Sequence, residues 1–311
     1  MTKRSKNDGL PRRMSRRTML HGIGATLAVV PLGALVACGG EGGASGEGGS
    51  GGSGGSGGAG GTGGAGGTGN TGEWATGGTA SMSGEYPDPF TDDLGSACAL
   101  TCAMTLGPCY AATLTRKDIS EGEPGLPMRL SLRVVNESCE PIEGATVDVW
   151  HTAPYGVYSG DDSVEMCTHN EEHALSSRFF RGVQTTDADG RVDFDSCFPG
   201  WYSGRTIHIH FTVRVGADEY VTSQLFFPDT LSDEIVATQP IYNERGARDT
   251  TNQNDGVIAA DAAAEYTLQT AKMADGALQA WKVLVIRSSL ATAQCSAPGG
   301  MMGPGGPPGG P

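Results

Sequence analysis

Short runs of alternating apolar and polar residues recur through the middle of this chain, separated by turn residues, and this pattern predicts strands rather than helices. The runs cover residues 128–136, 145–151, 179–185, 191–194, 206–215, 219–227 and 282–287. In the fifth run a period of two sets His208 and His210 on one face and Ile207 and Ile209 on the other. Asp189-Gly190, between the third and fourth runs, carries the residues of a hairpin turn. An Ala-rich run over 259–272 predicts a short helix or a helical excursion. The sum is an all-β fold, a two-sheet β-sandwich with long loops and at most short helices. Loops at one end of it carry Tyr158 and Tyr202, and a strand carries the histidines.

Composition divides the chain into four parts. Residues 85–298, roughly 210 in number, are enough for one large β domain with its own core. Residues 39–84 are Gly with Ser, Thr and Ala and little else. They read as a disordered tether, whose root-mean-square reach as a flexible coil is roughly 35 to 40 Å. Residues 299–311, of Gly, Pro and Met, read as a disordered tail. Residues 1–38 begin with Ser15-Arg16-Arg17-Thr18-Met19-Leu20 and end on Leu35-Val36-Ala37-Cys38, the pattern of a twin-arginine signal followed by a lipobox. The apolar stretch between them is broken by Gly22, Gly24, Pro31 and Gly33 and falls short of the roughly 20 residues that span a bilayer. A lipid on Cys38 would hold the protein at the membrane, as a bacterial cell-envelope lipoprotein in the periplasm or outside the cell. The plainer alternative is a secreted precursor in which Cys38 is unmodified.

A formal net charge of −14, with the densest Lys and Arg cluster inside the removable signal, argues against nucleic acid as a partner. Of the 8 cysteines, Cys98, Cys102, Cys109, Cys139, Cys167, Cys197 and Cys295 remain once Cys38 is set aside. An oxidising compartment would join them in disulfides, though spacing leaves the pairing open. Asp187, Asp189 and Asp193 do not fit the spacing of a calcium loop and read as a solvated turn.

The candidate chemistry lies in Tyr158 of Gly156-Val157-Tyr158, Tyr202 of Pro199-Gly200-Trp201-Tyr202, and the pair His208 and His210. Tyr155 stands close enough to Tyr158 to compete as the first phenol. Taken singly, each has a bland reading: a His-x-His on a strand is commonly surface decoration or part of a zinc or copper site, and a turn tyrosine packs its ring while the hydroxyl stays wet. Together they suggest a trivalent metal. A phenol ionises near pH 10 unless a strong cation stabilises the phenolate. Hard anionic oxygens with borderline nitrogens suit Fe(III), and two phenolates plus a hydroxide would cancel its charge, leaving a neutral site that is less costly to bury.

Five stretches carry a resemblance: Cys139 to Trp150, Gly156 to Tyr158, Phe180 to Gly190, Pro199 to Tyr202, and Arg205 to Phe211. Through them residues 130–227 resemble the intradiol ring-cleavage dioxygenases, non-haem iron enzymes that open catechol and protocatechuate rings. The resemblance implies a β-sandwich of that type holding Fe(III) through Tyr158, Tyr202, His208 and His210. The Gly-x-Tyr spacing favours Tyr158 over Tyr155. It further implies that Tyr158 is the retained tyrosinate, that Tyr202 is displaced by substrate, and that Arg205 and Gln224 flank the substrate ring. The implied reaction takes a catechol-type substrate and O2 and opens the ring between the two hydroxylated carbons to a muconate-type dicarboxylate. The chain departs from the family at Cys109, in Gly107-Pro108-Cys109-Tyr110, where relatives carry a tyrosine, and at Cys197, just before the Pro199 turn. Nothing in it resembles the helical N-terminal region through which catechol-cleaving relatives dimerise. A rival reading is a non-catalytic display module, because 141–149 and 186–194 also look like spacer sandwiches of the carboxypeptidase-regulatory or adhesin-repeat kind. Such modules have no use for two tyrosines and a His-x-His.

Overall fold

The computed structural model describes residues 73–299. Its strands are β1 (Pro127–Val135), β2 (Thr146–Trp150), β3 (Arg181–Thr185), β4 (Arg191–Cys197), β5 (His208–Val215), β6 (Asp218–Phe226), β7 (Gln269–Lys272) and β8 (Leu278–Val285). They form two four-stranded sheets, one in the order β4-β1-β8-β7 and the other β3-β2-β5-β6. Among the pairs these eight strands make, only β1–β8 is parallel. Alternation decides what each sheet turns inward. Met128, Leu130, Leu132 and Val134 of β1, Phe194 of β4, and Leu278, Ala280 and Leu284 of β8 meet Val147 and Val149 of β2 and Ile209, Phe211 and Val213 of β5 in one buried core. The helices are α1 (Glu165–Thr168), α2 (Glu172–Ser176), α3 (Asp229–Thr238) and α4 (Pro240–Asn243), of which only α3 exceeds five residues. None among the described residues is long and apolar enough to cross a membrane.

Four sequence expectations change. The Asp189-Gly190 turn forms, with Gly190 at φ +73° and its N–H on Asp187 O at 2.9 Å, yet it does not make a hairpin, because β3 and β4 belong to different sheets. It is a corner between the layers, pressed on β1: a Cβ at Gly190 would lie 2.3 Å from Val134 O. Of the two forms open to the Ala-rich run 259–272, the short helix gives way to the helical excursion: one 3-10 turn, Ala263–Tyr266, before the chain continues as β7. Ala262, Ala263 and Tyr266 pack on Phe226 and Ile258, and so short a run gains little from helix propagation. The last strand begins at Leu278 rather than 282, since Leu278 and Ala280 continue the inward face beside β1.

The fourth change is the boundary at 84. From Glu73 the chain is fastened to the domain. Trp74 packs against the core and its indole donates to Glu234 Oε1 at 2.7 Å. The N–H groups of Ser83 and Gly84 and the Tyr86 hydroxyl converge on Asp275 Oδ2 at 3.0, 2.8 and 2.9 Å. With the N–H groups of Ala75 and Gly78 on Gly276 O and Gly125 O, both at 2.9 Å, these contacts order a stretch that composition assigns to the tether. The signal, Cys38, residues 39–72 and the tail from 300 lie outside the described residues.

The cysteines resolve into Cys98–Cys139, Cys102–Cys295 and Cys109–Cys167, with Cys197 buried and free.

Candidate functional site

The face of the second sheet that turns away from the core carries the site. Register aligns Arg181 of β3 with Trp150 of β2, Trp150 with His210 of β5, and His210 with Gln224 of β6, so these four side chains form one rung across the sheet. His208 lies two residues along, opposite Phe226. The period of two that sends Ile209 and Phe211 into the core sends both imidazoles outward. This outer face is not wet: His208 is 3% and His210 2% exposed, because the loops after β2 and β4 and the segment before β1 fold over it. Those loops bring Tyr158 and Tyr202.

The Tyr158 hydroxyl lies 3.4 Å, the Tyr202 hydroxyl 3.3 Å and His210 Nε2 3.1 Å from His208 Nε2. His208 Nδ1 donates to Thr206 O at 2.6 Å. A carbonyl can only accept, so Nδ1 carries the proton and Nε2 turns a lone pair toward the other three groups. His210 Nδ1 is buried without a hydrogen-bond partner. Its ring is held instead by Trp150, stacked at 5.0 Å and 6°, and by Gly107, where a Cβ would come 3.1 Å from His210 Cε1.

Burial sets the electrostatics. It pushes the Tyr158 phenol well above its ordinary value and raises Tyr202 as well, although Arg205 offsets part of the effect on Tyr202. Burial likewise lowers His208 to about 3 and His210 well below its ordinary value. Without a cation all four heads are neutral and two imidazole nitrogens face each other. The donor set fits a metal ion. Separations of 3.1 to 3.4 Å match the edges of a coordination shell whose bonds are about 2.0 to 2.2 Å. A trivalent ion would also supply the charge that the buried phenols need to ionise. Among the described residues no group of three or more His, Cys, Asp or Glu gathers as a metal site, so any ion held here depends on the tyrosines.

Arg205 and Gln224 meet beside this cluster. Arg205 Nε donates to Asp255 Oδ2 at 2.9 Å, Arg205 Nη2 donates to Gln224 Oε1, and Gln224 Nε2 donates to Thr105 O at 2.9 Å. All six residues singled out in the sequence are therefore brought together. Tyr155 is not: its hydroxyl points to Glu123 at 3.3 Å and its ring packs on Phe179. Sequence reasoning missed the partners. Asp255, Thr206, Thr105 and Arg181 gave no local signal, since their roles come from contacts across the fold. Trp150 was legible in principle, being in register with His210 on the same face.

Among known proteins, the family model described as dioxygenase matches residues 106–272, more than half of the chain and all six of these positions. The chain is 27% identical over 138 residues to a chlorocatechol 1,2-dioxygenase of Pseudomonas putida, covering 39% of this chain and 48% of that one. It is 27% identical over 143 residues to catechol 1,2-dioxygenase 1 of Acinetobacter lwoffii, covering 38% and 43%. It thus spans just under half the length of these curated relatives. Among solved structures it is similar to an intradiol ring-cleavage dioxygenase from Tetranychus urticae, with a TM-score of 0.53 and 28% identity over 61% of this chain and 95% of that one. The convergent tyrosines and histidines lie inside the matched segment, on the sandwich those relatives share, and the chain belongs to the intradiol dioxygenase family.

Proposed function

We propose that this protein is a ferric, non-haem dioxygenase that opens the ring of a catechol-type substrate between its two hydroxylated carbons with O2, giving a muconate-type dicarboxylate. The observation that carries this reading is the approach of two phenol oxygens and a second imidazole to within 3.1–3.4 Å of His208 Nε2, in a buried site. A ferric ion held by Tyr158, Tyr202, His208 and His210 would supply Lewis acidity toward both catechol oxygens and make the ring reactive toward O2.

The chain's own groups do the rest. Tyr158, 2% exposed and hydrogen-bonded through its N–H to Cys167 O at 2.8 Å, is built to stay. Tyr202 is more exposed and stands on a surface turn whose own closing bond, Arg205 N–H to Tyr202 O, is long at 3.4 Å, so it is the phenol able to swing away and take a proton from the incoming diol. Arg205, fixed by Asp255 and Gln224, keeps a positive charge where negative charge gathers on the opening ring, an effect commonly worth a few kcal/mol. The packed loops exclude water from these steps.

We also propose export, with Cys38 as the lipid anchor. The three disulfides support an oxidising compartment, and a Cys38→Ser protein should leave the membrane fraction. The central test is spectroscopic. Purified protein loaded with Fe(III) should show a visible tyrosinate-to-iron band that Tyr158→Phe abolishes or shifts, and should consume O2 with at least one of catechol, protocatechuate and hydroxyquinol. An unchanged band in Tyr158→Phe removes Tyr158 from the ligands. A band without O2 uptake makes the protein a binder rather than a catalyst.

A further inference from the structure

The wall of the site is a stretch of chain with no ladder of its own. Residues 106–113 form neither helix nor strand, and α1, which faces them, has four residues. Yet this wall touches three of the four side chains of the rung. Gly107 abuts the His210 ring. Cys109 O accepts from Arg181 Nη2 at 2.7 Å, and the Tyr110 ring meets the edge of Trp150 at 4.9 Å. On the other side, the N–H of Tyr158 donates to Cys167 O at 2.8 Å. One covalent bond joins the two halves, the Cys109–Cys167 disulfide, with Cα atoms 5.5 Å apart across 58 residues of sequence. Its sulfurs lie in the same buried cluster as Trp150 and Tyr158, flanked by Tyr110 and Tyr202.

We propose that the Cys109–Cys167 cystine is a positioning element of the site, fixing the backbone that carries Tyr158 against the wall that seats His210. This deepens the ferric reading above and rests on it for its consequence in metal binding. Besides the packing of Tyr110 on Trp150 and of Gly107 on His210, the remaining contacts across the wall are single hydrogen bonds between neutral or singly charged groups, each contributing on the order of 1 kcal/mol or a little more. Alone they leave a loop free to fluctuate. The bond also explains the departure at Cys109: the sulfur supplies from the covalent chain a rigidity that packing would otherwise have to provide. The Cys98–Cys139 link, which ties the approach to β1 to the turn after it, touches none of these groups and serves as the control.

The test compares full-length Cys109→Ser/Cys167→Ser with Cys98→Ser/Cys139→Ser and wild type. In metal-free protein, tetranitromethane followed by peptide mapping reads whether Tyr158 is shielded. In loaded protein, titration with Fe(III) followed by the visible band reads affinity. The expected result is nitration of Tyr158 only in the Cys109/Cys167 variant, with ferric affinity weaker by roughly tenfold to a hundredfold, as for the loss of groups that orient metal ligands. Shielding of Tyr158 equal to wild type in that variant overturns the proposal, whatever the iron result. A wild type that takes up no Fe(III) sinks the ferric reading, while the nitration comparison still decides the cystine's role. If the double variant does not fold, native protein partially reduced with a dithiol and alkylated, then sorted by mass for molecules opened only at 109–167, gives the same comparison.

Discussion

Replacing Asp255 by Asn should destabilise the metal-free protein by about 3 kcal/mol, although the side chain keeps its shape. The Asp255 carboxylate is fully buried and accepts from four donors. Oδ2 takes Arg205 Nε at 2.9 Å and Thr206 N–H at 2.8 Å, and Oδ1 takes Val257 N–H at 2.8 Å and Ile258 N–H at 3.4 Å. An amide offers one oxygen, so its NH2 must face donors whichever way it flips, and Arg205 loses its counter-charge. Breaking a buried ion pair from one side costs about 3 to 5 kcal/mol. The low end applies because the Arg205 side chain is 15% exposed and water screens part of the loss. With a urea slope of roughly 2 to 3 kcal/mol per M, the unfolding midpoint should fall by about 1 M or slightly more.

Burial pushes the Asp255 carboxyl up, but Arg205 and the N–H groups of Thr206 and Val257 outweigh it and hold the group below its ordinary value. Its contribution is therefore complete above the unfolded value, about 3.9, and is lost as pH falls through the folded one. The wild-type advantage should shrink in acid. Urea unfolding followed by tryptophan fluorescence, with disulfides intact in both proteins, measures the difference. A midpoint shift at neutral pH equivalent to less than about 0.5 kcal/mol, the size of an ordinary surface change, refutes the reasoning. The same variant should lose turnover, because Arg205 is no longer aimed and the Thr206 peptide, whose carbonyl holds His208, is freed.

His151 is buried, donates to Thr152 O and accepts from Ser196 Oγ, and burial lowers its pKa to about 4. The unfolded chain protonates near pH 6.5 while the folded one stays neutral, so stability should fall as pH drops from about 6.5 to about 4, by up to about 1.4 kcal/mol per pH unit from this group. A His151→Gln protein whose stability changes as steeply as wild type between pH 6 and pH 5 rejects the assignment. The Cys197 thiol, pushed by burial to about 12, should ignore a disulfide reagent in native Cys38→Ser protein and react on unfolding; reaction without unfolding contradicts its burial. Gly107 combines φ +74° with the His210 ring at 3.1 Å from a built Cβ. Gly107→Ala should cost on the order of 1 kcal/mol and shift the ferric band, and an unaltered band would show that the loop yields instead of the histidine.

What was legible in the sequence is what depends on a short-range period. Alternation through β1 and β5 identified the strands, and the same alternation set His208 and His210 on one face. The joint pattern with the two turn tyrosines, read through the family resemblance, found the cluster. Sheet membership was hidden, because Asp189-Gly190 has the same local chemistry whether the next strand pairs with the last or crosses to the other layer. The fastening at residues 73–84 was hidden, since composition averages away the one indole that packs on the core and nothing local marks the bonds to Asp275 and Gly276. Asp255 lies 50 residues from Arg205, and no periodicity records that distance. The cysteine pairing follows from the path of the whole chain, which no spacing rule contains.

The Cys102–Cys295 link joins the two flanks of the domain, with all eight strands between its ends. Beside it, Ala103 N–H donates to Cys295 O and Ala297 N–H to Ala103 O, at 2.8 and 2.9 Å. A mechanical load applied at residues 73 and 299 would first peel the fastenings of Trp74, of residues 83–86 on Asp275, of Pro87 on Gln279 and of Thr101 on Val285, and then pass from one sulfur to the other. From then on the sheets, and the face that carries the tyrosines and histidines, would be shielded from the load. A domain wired in this way can be dragged by its ends, in flow or against a surface, without its sandwich being pulled open.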